Sequence, residues 1–198
     1  MPTSQPIKCA WCRTAPDYEV YHDTIWGKPV YDSAEMFRFL ILETFQAGLS
    51  WIMVWRKRDA FADVFHAFDP VAMANFTEED VDRLCQDARI IRNRAKIRGA
   101  IKNARAYLHM QEEGLDFSAY FWGWTQGEVL RRTAHSPVPG RTDLSDAIAA
   151  DLKKRGFSFV GSTVVYAHLQ AVGIVNDHDI HCFKHPEVQA LASPPHRS

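Results

Sequence analysis

The stretch LSDAIAADLKKRGFSFVGSTVVYAHLQA, residues 144–171, decides the architecture. Leu144 to Lys154 reads as a helix. Arg155-Gly156-Phe157-Ser158-Phe159-Val160-Gly161-Ser162 breaks the pattern, and Thr163 to Ala171 resumes it. The result is a helix, a glycine-bounded hairpin and a helix. The hairpin brings glycines and backbone N–H groups to the start of a helix, with Lys153, Lys154 and Arg155 just upstream. That arrangement suits an anion such as a phosphodiester, although a tight turn without a ligand would read the same way.

Working outward, the pattern stays helical. Asp32-Ser33-Ala34-Glu35 resembles a capping box opening a helix whose apolar side is Met36, Phe37, Leu40, Ile41 and Phe45, with Gly48 as its stop. Ser50 is placed to cap a following helix running through Trp51, Val54 and Trp55 beyond Ala60. Asp69-Pro70 pairs a cap with a helix-starting proline, and Thr77-Glu78-Glu79-Asp80 puts acid in a first turn. Arg92 to Gln111 reads as one long helix with a basic face exposed and Ile97, Ile101, Ala104 and Leu108 buried. No sustained alternation and no repeat occurs. The expected fold is therefore all-α, a single compact domain over residues 1–198 with its termini packed together, residues 1–6 and 193–198 being mobile.

The composition of the 198 residues, 46% hydrophobic and 24% charged, is that of a globular protein and excludes collagen-like, disordered and rod-like classes. No stretch approaches the roughly 18 to 20 apolar residues of a membrane span, and the start MPTSQPIKC lacks signal-peptide character. A soluble, cytoplasmic protein without a membrane partner is expected. Lys+Arg 23 against Asp+Glu 24 gives a net charge of −1, which argues against a chain coated in positive charge. Yet Arg89, Arg92, Arg94, Lys96, Arg98, Lys102 and Arg105 follow one another with no acid between them. Such a run is compatible with one polyanion-binding face or with a solvated helix surface.

Four cysteines, Cys9, Cys12, Cys85 and Cys182, favour metal or redox chemistry over a disulfide framework. His178 and Cys182 are four apart and would share one side of a helical turn, as two ligands of a tetrahedral zinc do. Cys9 and His22 can supply the other pair, tying the two ends of the chain together; a structural zinc contributes on the order of 10 kcal/mol to folding. The alternative is a set of ordinary surface histidines. Trp11, Tyr18, Tyr21, Trp26 and Trp51 crowd into the first quarter of the chain with Glu43. Aromatic walls with one carboxylate suit a flat cationic ligand, although a tryptophan-rich core with an exposed Glu43 would give the same composition.

Five blocks in chain order carry a resemblance: Tyr21-His22-Asp23-x-x-Trp26-Gly27; Leu42-Glu43-x-x-Gln46-Ala47-Gly48-Leu49-Ser50-Trp51; Arg92-x-Arg94-x-Lys96-Ile97; Lys154-Arg155-Gly156-Phe157-x-Phe159-Val160-Gly161-x-Thr163; and Gln170-Ala171-x-Gly173-x-Val175-Asn176-Asp177-His178. Together the chain resembles the DNA-3-methyladenine glycosylase I family of the helix-hairpin-helix glycosylase superfamily. The resemblance implies an enzyme that hydrolyses the N-glycosidic bond of N3-methyladenine in alkylated double-stranded DNA. It also implies one structural zinc on Cys9, His22, His178 and Cys182, with Cys12 a bystander.

On the same resemblance Glu43 contacts the extruded base, Tyr21 and Trp51 stack on it, and Trp11, Tyr18 and Trp26 complete the pocket. Gly48 and Leu49 lie where a side chain could enter the duplex, and Lys154, Gly156, Gly161, Ser162 and Thr163 lie on the phosphates. Cys12, Phe183-Lys184-His185 and a longer C-terminal tail depart from the family pattern. The implied product ligand is free 3-methyladenine and the implied working form a monomer. With no lysine in the aromatic N-terminal blocks, no Schiff-base lyase step is expected. Asp177 is expected to shape the metal turn. Two other classes compete: a noncatalytic zinc-stabilised DNA-binding module, and a C-x-x-C redox enzyme built on Cys9 and Cys12.

Overall fold

The computed structural model describes residues 6–131 and 137–191. Of the segments expected to be mobile, residues 1–5 and 193–198 lie outside the described residues. The helices are α1 (Pro16–Thr24), α2 (Ser33–Gln46), α3 (Trp51–Trp55), α4 (Arg58–Val64), α5 (Pro70–Ala74), α6 (Glu78–Gln86), α7 (Arg94–Glu112), α8 (Phe117–Gly123), α9 (Asp143–Lys154), α10 (Ser162–Ala171) and α11 (Lys184–Leu191). They surround a single apolar core. Two residues each from β1 (Leu130–Arg131) and β2 (Val175–Asn176) pair in parallel, an addition to the all-α expectation too short to leave an alternating pattern.

Local chemistry sets most helix starts. Asp32 accepts the Glu35 amide at 2.7 Å, Asp69 accepts that of Val71 at 3.0 Å, and Thr77 forms a full capping box with Asp80. The box expected at Asp32 is only half formed, because the Glu35 carboxylate turns to Arg38. Helix α2 is buried without interruption from Phe39 to Phe45 and packs on α3, α7, α8 and α10. A helix apolar on all sides belongs inside. Gly48, at φ +80°, ends the turn that follows it.

Three expectations need correction. The helix from Trp51 breaks at Arg56–Lys57 and Ser50 makes no capping bond; Lys57 Nζ reaches the Ala88 and Arg89 carbonyls instead, at 3.2 and 2.8 Å. The long helix starts at Arg94, capped by Asn93, and Leu108 is only half-buried. The basic run is largely paired: on the helix Arg94 pairs with Asp82, Arg98 with Glu78 and Lys96 is buried, and before the helix Arg89 pairs with Asp87 and Asp63. Arg92 and Lys102 are exposed without an ion pair among the described residues.

The chain ends are stitched together through backbone. The Gly27 amide donates to the Ala171 carbonyl at 3.3 Å and the Val30 amide to that of Val172 at 3.0 Å. Gly173, at φ +74°, lies so close to this strand that an added Cβ would stand 2.5 Å from Lys28 and Pro29 backbone atoms.

Candidate active site and metal centre

Five elements converge on one cavity of about 300 Å³, at the small end of ligand-binding pockets. A 3-10 turn (Ala10–Thr14) carries Trp11, and α1 carries Tyr18 and Tyr21 one turn apart, its start set by Pro16. Trp26 follows α1 directly. Glu43 and Gln46 project from the last turns of α2, and Trp51 opens α3. Opposite them, Thr163, Ala167 and Gln170 form one face of α10, and Val138 lies on the rim. All five aromatic residues expected around Glu43 therefore line one wall system, with Trp11 edge-on to Tyr18 at 4.9 Å and to Trp26 at 5.0 Å, and Tyr21 5.6 Å from Trp51.

Glu43 is 3% exposed and has no hydrogen-bond donor among the described residues. Burial pushes its carboxyl up to about 8, which favours the protonated form at neutral pH. Burial also pushes the Tyr21 and Tyr18 hydroxyls up, with the Glu43 charge adding to both. The indole N–H of Trp51 is buried without a well-formed hydrogen bond. A cavity with aromatic walls and one unpartnered carboxyl has chemistry for a flat ligand that brings positive charge and N–H donors.

Behind this wall Cys9, His22, His178 and Cys182, all buried, bring their ligand atoms within 4.8 Å of one another. The Cys182 sulfur lies 3.4 Å from His22 Nε2 and 3.8 Å from His178 Nδ1, and Cys9 sulfur 3.7 Å from His178 Nδ1. A tetrahedral ion with two sulfur and two nitrogen ligands needs edges of about 3.5 Å between sulfur and nitrogen. Each imidazole turns its other nitrogen to an acceptor, His22 to Asp23 at 2.7 Å and His178 to the Trp26 carbonyl at 3.3 Å, as metal-binding histidines do. The crowded thiols cannot both ionise without a cation: the Cys182 contact holds Cys9 up, while Cys9 and the two histidines hold Cys182 down. The donor set fits a metal ion.

His178 and Cys182 sit on an irregular turn before α11 rather than on a helix, which corrects the expected spacing argument. Gly27 leaves room for the His178 ring, since a Cβ there would stand 2.8 Å from Nε2. Cys12 stays outside the cluster, its thiol donating to the Cys9 carbonyl at 3.1 Å, and all four cysteines are free of disulfides. Metal cluster and pocket share a wall: the Trp26 ring meets His178 edge-on at 4.6 Å and Trp11 meets His22 at 5.4 Å.

Residues 11–185 match the family model described as methyladenine glycosylase. The chain belongs to the methyladenine glycosylase family. DNA-3-methyladenine glycosylase 1 of Escherichia coli (strain K12) is 48% identical over 181 residues, 90% of this chain and 97% of that protein. A crystal structure of 3-methyladenine DNA glycosylase I superposes with a TM-score of 0.89 at 47% identity, covering 91% of this chain and all of that one. The Staphylococcus aureus 3-methyladenine DNA glycosylase I, solved for its recognition of 3-methyladenine, gives 0.86 at 34% identity over 90% of this chain and 96% of its own.

Against this methyladenine glycosylase frame, the remaining expected residues fall in two places. Gly48 is exposed and Leu49 half-buried on the turn after α2, closed by Leu49 N–H to the Gln46 carbonyl at 2.6 Å and Gln46 Nε2 to the Leu49 carbonyl at 2.8 Å. Lys154 ends α9, Gly156 (φ +94°) turns the chain, and Gly161 precedes α10 without a side-chain cap. The Ser162 hydroxyl is engaged by the Asp146 carboxylate. Thr163, grouped with the hairpin by sequence, lines the pocket instead. Sequence reasoning gave no role to Gln46, Gln170, Ala167 or Val138; Gln46 and Gln170 stood inside quoted blocks, the one signal that could have found them.

Asp177, expected to be structural, departs from expectation only in what it holds. Its carboxylate takes hydrogen bonds from Tyr166 and Gln170 of α10, while Asn176 braces the metal turn, accepting the His178 amide at 3.4 Å and donating to the His185 carbonyl at 3.0 Å.

Proposed function

We propose that this chain is a base-excision repair hydrolase that releases N3-methyladenine from alkylated double-stranded DNA and leaves an abasic site. The observation that carries the reading is Glu43, an unpartnered carboxyl among five aromatic rings in one cavity. Burial alone pushes it up to about 8, so a cationic ligand is what such a group lacks. Methylation at N3 makes adenine that cation. Relatives named for the same base support the assignment.

In the proposed reaction Tyr21 and Trp51 stack on the extruded ring, while Trp11, Tyr18 and Trp26 close the pocket against water. Glu43, which releases its proton to solvent as the cation arrives, accepts hydrogen bonds from the amino group and selects the cation over neutral adenine. The bond between C1′ and N9 breaks heterolytically. Its electron pair passes to the purine, neutralising the ring, and water adds to the oxocarbenium sugar and loses a proton to solvent. A cationic leaving group makes general-acid help unnecessary, and extrusion of a damaged, poorly stacked base costs only a few kcal/mol. No lysine lines the cavity among the described residues, which supports a hydrolase without a lyase step.

In this reading the Leu49 turn enters the duplex, and α9, the Gly156–Gly161 turn and α10 act as a helix-hairpin-helix grip on the phosphates. The grip uses the open N–H groups at the start of α10, with Lys154 at the end of α9 as the nearest upstream lysine in the chain. The metal is one zinc per chain. When bound, it supplies a crosslink between the two chain ends, and four protein ligands leave no open position for catalysis. One chain completes the pocket, so the enzyme acts as a monomer; a cytoplasmic place suits work on the chromosome. Chromatography of bases released from methylated duplex DNA tests the whole reading. Free 3-methyladenine is expected; DNA binding without base release would support the noncatalytic zinc module and overturn it.

A further inference from the structure

Helix α7 carries a buried stripe that the pocket does not use. Lys96, Gly99 and Asn103 recur at i, i+3 and i+7, on one side of the helix, and all three are buried. At the first of them, Lys96 Nζ donates to the Phe45 carbonyl at 2.7 Å and to the Ala47 carbonyl at 2.6 Å. These carbonyls lie at the C-terminal end of α2, where intrahelical partners run out and the helix dipole favours a cation. They flank Gln46 of the pocket wall and precede the Gly48–Leu49 turn. Lys96 has no carboxylate partner among the described residues, and burial lowers its pKa.

Farther along the stripe, α7 holds the other turn. The Asn103 amide takes both polar backbone groups of Ser158, donating to its carbonyl at 3.1 Å and accepting its N–H at 2.6 Å. Gly99 makes room for Phe159, whose ring carbon lies 2.6 Å from where a Cβ would stand. One rigid helix thus grips, with neighbouring residues, the tip of α2 and the hairpin between α9 and α10. A helix end needs only water or a glycine turn to finish it, and Gly48 already supplies the turn. Burying an ammonium there is an expense that helix termination does not require.

We propose that Lys96 is a positioning residue for base extrusion: anchored in α7, it fixes the Leu49 turn in register with the phosphate-binding hairpin, so that insertion into the duplex and grip on the backbone occur together. The proposal rests on the glycosylase reading above. It separates extrusion, which needs that register, from base capture, which needs only the pocket.

The test uses Lys96→Met, which keeps the stem and removes the donors, on the full-length protein. Three readouts are compared with wild type: tryptophan fluorescence titrated with free 3-methyladenine, excision from methylated duplex DNA, and brightening of 2-aminopurine placed beside an abasic site, which reports unstacking. Affinity for the free base is expected to stay within about twofold, while duplex excision falls about tenfold or more through the rate at saturation and the brightening is lost. Undiminished excision and brightening overturn the proposal. So does an equal loss of free-base affinity, which marks a lysine that merely holds the fold. Should Lys96→Met fail to fold, Gly99→Ala disturbs the same register from the hairpin side. A folded Gly99→Ala with wild-type excision overturns it equally. If wild-type protein releases no 3-methyladenine, the glycosylase reading itself has failed, a different outcome from any of these.

Discussion

Gln170 Nε2 donates to Asp177 Oδ2 at 2.8 Å, and the Tyr166 hydroxyl donates to the same oxygen at 2.5 Å. A carboxylate only accepts, so the amide orientation of Gln170 is settled: its N–H faces Asp177 and its carbonyl oxygen is the polar group left for the cavity it lines. Asp177→Asn removes that constraint, because an asparagine can meet the amide in either orientation. The variant is expected to fold and to lose about five- to tenfold in excision, the scale of one misoriented hydrogen bond. A loss of about a thousandfold, measured by single-turnover base release, would place Asp177 in the chemistry instead.

Glu43→Gln keeps the shape of the pocket and removes its charge. Charge-assisted hydrogen bonds are worth about 1.5 to 3 kcal/mol, so excision of 3-methyladenine should fall by about one to two orders of magnitude with duplex binding unchanged. Undiminished excision would remove Glu43 from recognition.

The same carboxyl makes stability and activity move oppositely with pH. Glu43 sits near 8 in the folded chain against an ordinary 4.5, so between those values the folded state holds a proton that the unfolded state has released. This contribution to stability is full below about pH 4.5 and is lost as pH rises toward 8. Glu43→Gln is therefore expected to be the more stable protein at pH 8, by a few kcal/mol on the order-of-magnitude scale of such shifts. Excision by wild type should rise with pH to a plateau above about 8, where the free pocket is already ionised. Melting curves at pH 5 and 8 and a pH–rate profile check both limbs; a stability gap that does not widen with pH would contradict them.

Chelation should both unfold and blunt the protein. The Trp26 and Trp11 rings rest on His178 and His22, so removing the ion or substituting His178→Ala is expected to lower the Tm. Free-base affinity should also weaken at temperatures where the chain remains folded. Metal analysis should return about one zinc per chain. A metal-free protein with unchanged Tm would refute the crosslink.

Trp51→Ala should weaken binding of free 3-methyladenine by the stacking it removes, about 1 to 3 kcal/mol per base, with no DNA present. Wild-type tryptophan fluorescence should respond to 3-methyladenine and far less to adenine. Equal responses would show that the pocket does not read charge.

What the sequence made legible was local or compositional. Caps at Asp69 and Thr77 and the glycine-bounded turn between α9 and α10 depend on neighbours along the chain, and the pocket aromatics stood out by their concentration. What stayed hidden depends on distant partners. No glycine or proline marks the break after α3; it is fixed by Arg56 reaching Asp17 and Lys57 reaching the chain at Ala88 and Arg89. The basic run left a polyanion face and a solvated helix surface equally open to reading, because the partners Glu78 and Asp82 lie on another helix and fold across it. Gln170 was silent because an amide acquires direction only from what holds it.

The metal cluster draws one ligand pair from residues 9 and 22 and the other from residues 178 and 182, and the aromatic wall leans on both. A nascent chain on the ribosome owns the first pair, and most of the pocket's rings, long before it owns the second. The aromatic wall therefore gains its contact with His178 only once residue 178 has been made. The order in which the two ligand pairs are made sets when the cluster, and the aromatic wall leaning on it, can close.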